Sequence, residues 1–242
     1  MNGGVMVNYD LVILGATTTG LGLAQAVQRR KKTLIVNATE MVAYDVVNSY
    51  KQPGVYTRGA AYNKQFLDLQ ADVLLGARTI SIETDHSGFV LRLHGSGGYQ
   101  TVRTERLVDT TLERSGKQVV KTLNAVIIQP QGAEQPAVQW SGMKLVAEEQ
   151  THAYRTAILK LECEPSWTLD QARHRLVNRW TLRPEELASW RIASIAHVFD
   201  QWTGDRPAQL AEGYMYLPAE AYAEPEESLQ AGVELGRSWI TE

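Results

Sequence analysis

Two hydrophobic periods alternate along this chain, and their order predicts its elements. Tyr9-Asp-Leu-Val-Ile-Leu14 is a short apolar run suited to a buried parallel strand. Gly15 to Gly20 is a tight turn holding three threonines, and Leu21, Leu23, Ala24 and Val27 then recur at helical spacing. A second apolar run, Thr33 to Val36, follows a basic stretch. This is strand, glycine turn, helix and strand: a βαβ unit within about 30 residues.

Residues 38–62 show no clean period, with a turn at Gln52-Pro-Gly54. Phe66, Leu67, Leu69, Val73 and Leu74 fall near helical spacing, which predicts a helix over 62–75 that ends at Gly76. Alternating runs at 79–83, 89–93 and 99–103 are separated by the turns Asp85-His-Ser-Gly88 and Gly95-Ser-Gly-Gly98, a β-meander pattern. A short strand follows at 105–109. Beyond a polar break at 113–118, the runs 119–128, 137–149 and 153–162 read as strands, with a loop at 132–136. Thr168 and Gln171 form a capping box that opens a helix closing near Trp180. Pro184 opens a predicted helix through Trp190, Ile192, Ile195 and Val198. Gly213 to Pro218 reads as extended, and Pro225 opens a last helix reaching about Trp239.

The expected fold class is α/β: a Rossmann-like domain with a β-meander, and an inserted β-rich and helical second region. The expected boundaries are 1–112 plus 213–242 for the dinucleotide-binding domain and 113–212 for a substrate- or cap-like region.

At 242 residues the chain suits one large domain or two small ones. A net charge of −3 gives no reason to expect nucleic acid or an anionic membrane as partner. A lone cysteine, Cys163, excludes an internal disulfide and any Cys-rich metal site, and fits a reducing cytoplasm. No apolar run approaches the ~18 residues of a membrane span. Residues 1–8 lack the basic start and apolar stretch of a signal peptide, so the expected location is the cytoplasm.

The candidate chemistry lies in the glycine turn. A helix start leaves backbone N–H groups unpaired at its positive end, and a pyrophosphate takes them up where no side chain blocks its approach. In the fingerprint G-x-G-x-x-G, followed by an acid at the end of the second strand, the corresponding residues here are Gly15, Thr17, Gly20 and Asn37. The first and third glycines are present. The β-branched side chain of Thr17 takes the space that the middle glycine leaves empty. Asn37 offers an uncharged amide in place of the ribose-binding carboxylate. A βαβ unit that has kept its packing and lost its ligand fits the same residues.

The order of elements resembles the glutathione-reductase-like FAD-dependent oxidoreductases, in particular those with a β-rich inserted domain. The resemblance rests on YDLVILGATTTGLGLAQAV, on KTLIVN, on the helix, meander and strand ending in LVDTT, and on the closing YLPAEAYAEPEESLQAGVELGRSW. It covers most of the chain. LVDTT lies where the family carries a strand-end D-A-T-G; Leu112 stands at the final glycine, and there is no clear late Gly-Asp motif of the kind that holds the flavin's ribityl-phosphate side. The resemblance implies FAD as cofactor, with the N–H groups of Thr17, Thr18, Thr19 and Gly20 on the pyrophosphate. It also implies Asn37 at the adenosine ribose and Asp109 and Thr110 near the nucleotide. It names no catalytic base. The function it implies is an FAD-dependent oxidoreductase-like protein acting on a small molecule. The alternative is a degenerate flavoprotein relative without cofactor, serving as an accessory or structural subunit, with a partner protein or an oligomer as its setting. An NAD(P) protein is a third option, disfavoured because no arginine follows Asn37.

The five histidines form no H-x-x-x-H or H-E-x-x-H pair, so no metal site is expected. His197 reads as a satisfied core histidine within the predicted helix, and Cys163 as a buried thiol rather than a nucleophile. Trp180, Trp190 and Trp202 read as core or partner surface rather than as a stacking platform.

Overall fold

The computed structural model describes residues 6–51, 55–112, 115, 119–130, 139–140, 142–150 and 154–241. The turn expected at 52–54 and the loop at 132–136 lie outside the described residues. In chain order the elements are β1 (Val7–Leu14), α1 (Thr18–Val27), β2 (Thr33–Val36), α2 (Tyr44–Val47), α3 (Val55–Leu67), β3 (Asp72–Leu74), β4 (Arg78–Asp85), β5 (Gly88–Gly95) and β6 (Gly98–Asp109). There follow β7 (Val120–Pro130), β8 (Gln139–Trp140), β9 (Met143–Gln150), β10 (Tyr154–Cys163), α4 (Leu169–Thr181), β11 (Arg191–Ile195), β12 (Asp200–Trp202), β13 (Ala208–Ala211), β14 (Tyr214–Tyr216) and α5 (Pro225–Thr241). Among the described residues no helix is long and apolar enough to cross a membrane.

The chain divides into two units, residues 1–43, 61–117 and 203–242, and residues 44–60 and 118–202. Residues 44–60 go with the second unit because Asn124, on β7, donates to the carbonyls of Ser49 and Tyr50. Residues 203–212 go with the first because β13 pairs with β14.

The first unit is built on an eight-stranded sheet in the order β13-β14-β6-β1-β2-β3, with β5 and β4 continuing from β6. β1 pairs in parallel with both β2 and β6, and β14 lies parallel to β6. Leu11, Ile13, Leu21, Leu23, Ile35 and Leu107 are fully buried, each contributing about 1.5–3 kcal/mol by leaving water. The runs at 99–103 and 105–109 are one strand, β6. Along its first half it pairs antiparallel with β5, and farther on it runs beside β1.

The second unit is a six-stranded sheet in the order β11-β7-β10-β9-β8, with β12 also on β7. Leu123, Ala125 and Ile127 of β7 and Leu159 and Leu161 of β10 pack with Ala172, Leu176 and Trp180 of α4. The capping box is present: Thr168 Oγ1 accepts from Gln171 N–H, and Gln171 Oε1 accepts from Thr168 N–H. Buried Asn124 also donates to Asp200, whose carboxylate receives Lys160 Nζ at 2.6 Å.

Two predicted helices are corrected. The helix over 62–75 instead starts by Val55 and stops at Leu67, which is 84% exposed, and Val73 and Leu74 lie in β3 beside β2. The helix from Pro184 is a single 3-10 turn at Glu185–Leu187, after which Ile192 and Ile195 join β7 as part of β11. In both places pairing with a distant strand overrides the local helical period. His197 follows β11 with its side chain exposed, so it is not a core histidine. Trp180 and Trp190 are in the core, whereas Trp202 is 47% exposed.

Candidate functional site

The strands of the first unit bring the candidate residues together at their carboxyl ends. Gly15 follows β1, Asn37 follows β2, and Asp109 ends β6 with Thr110 just beyond it. From β1 the chain passes to β2 on one side and reaches β6 on the other. This is the topological switch point, where open α/β sheets bind their ligands.

Here side chains of the same chain fill that point. Thr17 is the N-cap of α1: its Oγ1 accepts from Gly20 N–H at 3.1 Å and donates to Thr110 Oγ1 at 2.8 Å. Thr110 Oγ1 in turn donates to the carbonyl of Leu14 at 2.8 Å. Gly15 has φ +101°, and a Cβ there would meet Thr110 Oγ1 at 2.6 Å, so both backbone and space require glycine. A Cβ on Gly20 would meet the carbonyl of Gly15 at 2.5 Å, which fits the close packing expected of the third glycine.

Thr18 and Thr19 turn toward α5. Their hydroxyls meet the buried Ser228 Oγ at 2.8 and 2.7 Å. The helices approach this closely because Gly22 and Gly232 face backbone directly. A Cβ would lie 2.0 Å from the carbonyl oxygen of Leu229 in the first case and 2.1 Å from that of Thr19 in the second. Sequence reasoning missed Ser228 and this seam; the spacing Gly232-x-x-x-Gly236 was the signal on offer.

Asn37 is 3% exposed and both ends of its carboxamide are engaged. Oδ1 accepts from Ala16 N–H at 3.1 Å, while Nδ2 lies within reach of Thr39 O, Thr39 Oγ1 and Met41 O. Asp109 is 2% exposed and accepts from the N–H and hydroxyl of Thr111. Nearby, the Tyr216 hydroxyl is pushed well above its ordinary pKa, first by burial and then by Asp205, Asp109 and Glu220.

Other chemistry is sparse. Among the described residues no group of three or more His, Cys, Asp or Glu is placed to hold a metal ion. Burial raises the Cys163 thiol pKa, and its Sγ points to Leu161 O at 3.4 Å. A groove of about 710 Å³ is lined by Asp85, His86, Glu105, Arg106, Glu212 and Trp239 among others, and by none of the candidate residues.

No protein-family model and no curated protein matches the sequence. Solved structures do match. A p-nitrophenol 4-monooxygenase from Pseudomonas putida aligns over 98% of this chain and 80% of its own, with TM-score 0.61 and 10% identity. A geranylgeranyl bacteriochlorophyll reductase-like protein from Thermoplasma acidophilum aligns over 96% and 78%, with TM-score 0.63 and 10% identity. An aklavinone-11 hydroxylase, solved in a ternary complex with FAD and aklavinone, aligns over 100% of this chain and 63% of its own, with TM-score 0.62 and 12% identity. The fold is therefore that of the FAD-dependent hydroxylases and related reductases, and its first unit is the Rossmann-like part.

FAD is the dinucleotide this likeness points to, and the residues at the switch point test whether it fits. A group that touches a ligand is reachable by solvent when the ligand is away. Ala16, Thr17, Thr18 and Thr19 have 0% exposure. A water-sized sphere does not reach the start of α1, and a pyrophosphate is larger. Of the N–H groups expected on the pyrophosphate, that of Gly20 is taken by Thr17, and the preceding Ala16 N–H is taken by Asn37. As folded here, the residues do not fit a dinucleotide at this turn.

Proposed function

We propose that this FAD-dependent-oxidoreductase-like chain works as a binding or accessory protein rather than as a flavoenzyme. The observation that carries this reading is the complete burial of Ala16 to Thr19 by the chain's own atoms. Another protein subunit or a second copy of the chain is the partner this reading implies. Its single cysteine, half-buried, suits a reducing cytoplasm.

A specific observation favours a second reading, an FAD-dependent oxidoreductase of an unidentified small molecule. The solved neighbours are hydroxylases and reductases, and one holds FAD and aklavinone. That reading supports FAD as cofactor and requires the turn at Gly15 to Gly20 to open.

An absorption spectrum separates the two. The purified protein is incubated with FAD, desalted and scanned, beside the double variant Thr17→Gly, Asn37→Glu. The first reading expects a colourless parent. A double variant that keeps the flavin bands while the parent does not identifies the side chains that keep FAD out. A parent that keeps stoichiometric flavin overturns the first reading and supports the second.

A further inference from the structure

Asn37 does more than stand where a carboxylate is expected. Its carboxamide joins two pieces of backbone. Oδ1 holds the Ala16 N–H at the mouth of the turn. On the other side, Nδ2 lies 2.7 Å from Thr39 Oγ1, 2.8 Å from Met41 O and 3.1 Å from Thr39 O. The short segment so tied is exposed along its outer side at residues 38–41. It then dives inward to Ala43, which is 0% exposed, adopts φ +48° and donates its N–H to the carbonyl of Ala16 at 2.6 Å. Both backbone groups of Ala16 are thus taken by residues 37 and 43.

We infer that residues 38–43 form a strap closed across the glycine turn, and that the Asn37 carboxamide is its lock, occupying backbone groups that a bound dinucleotide would otherwise face. This inference rests on the closed-turn reading proposed above. The chemistry explains why the lock is an amide. One end of the side chain must accept a hydrogen bond and the other must donate; a carboxamide does both, and an ionised carboxylate only accepts. A carboxylate keeps the acceptor toward Ala16 but turns a second oxygen toward the carbonyl oxygens of Thr39 and Met41, neither of which can donate. Asp at this position therefore disfavours closure, although it has the same shape. Ala43 is in the left-handed region without being glycine, so the closed path is held by its bonds rather than by local preference.

The test is amide hydrogen exchange on the whole chain, read at Ala43 in the parent and in Asn37→Asp. Exchange at Ala43 is expected to quicken at least tenfold in the variant, while Ile13 and Leu107 in the sheet stay as protected as in the parent. Thr39→Ala, which removes one strap acceptor at an exposed position, serves if Asn37→Asp does not fold; it is expected to quicken Ala43 by a smaller factor. Unchanged exchange at Ala43 in the variant that folds overturns the lock assignment, even if the parent stays colourless with FAD. A parent that retains FAD overturns the closed-turn reading and the strap with it. The two failures are distinguished by which protein departs from expectation.

Discussion

Replacing Gly232 by alanine tests the helix seam that backs the turn. The new Cβ would lie 2.1 Å from Thr19 O and 2.8 Å from Leu23 N, whereas ordinary contact begins near 3.4 Å. Both neighbours are backbone, so α1 and α5 must part by roughly 1 Å, in the manner of an overpacked core, at a cost of about 1–3 kcal/mol. Parting the helices also weakens the Thr18 and Thr19 bonds to Ser228; neutral hydrogen bonds contribute about 0.5–1.5 kcal/mol each. Against this, alanine gains about 1 kcal/mol over glycine within a helix. The net expectation is a loss of about 2 kcal/mol, read by urea denaturation followed by circular dichroism. Gly97→Ala is the control: its nearest neighbour would be Gln100 Nε2 at 3.9 Å, so a change within about 0.5 kcal/mol is expected. A Gly232→Ala protein as stable as the parent would refute the backbone-contact argument, because helix propensity would then have outweighed packing.

Three further outcomes follow from the same structure. Tyr9 has its pKa raised to about 12 by burial and by its hydrogen bond to Asp72, so its phenolate absorbance is expected to emerge late in an alkaline titration. The sign is that of a group whose folded pKa is raised: its contribution to stability is present below about pH 10 and is lost as pH rises through about 12, and Asp72→Asn is expected to lower the midpoint. Asn124→Ala strips donors from the Ser49 and Tyr50 carbonyls and from Asp200, and is expected to cost roughly 2–4 kcal/mol in urea denaturation. Cys163, its thiol pKa raised by burial, is expected to react with an aromatic disulfide reagent at neutral pH more slowly than free cysteine, and to catch up in urea.

What could be read without the structure was local. Gly15 and Gly20 are legible because a turn of positive φ and a close helix–strand contact each demand glycine within a few residues of an apolar strand. The capping box at Thr168 is legible for the same reason. β3 and β11 were hidden because their pairing partners, β2 and β7, are remote in sequence, so Val73, Leu74, Ile192 and Ile195 show only their local spacing. The closure of the turn was hidden more deeply. Asn37 can be seen to replace a carboxylate, but its bonds to Thr39 and Met41 follow no period, and Ser228 meets Thr18 from 210 residues away. The N–H groups of residues 17 to 20 read as pyrophosphate donors in the sequence; that the hydroxyls of Thr17, Thr18 and Thr19 turn to other side chains shows only in the fold.

Isothermal titration of FAD into the intact protein asks whether there is room for a dinucleotide at the start of α1. With the turn closed by Asn37 and Thr17, no saturable heat is expected up to millimolar FAD. A saturating isotherm near one FAD per chain, abolished by a bulkier residue at Gly20, would contradict this closure and place the cofactor at the turn.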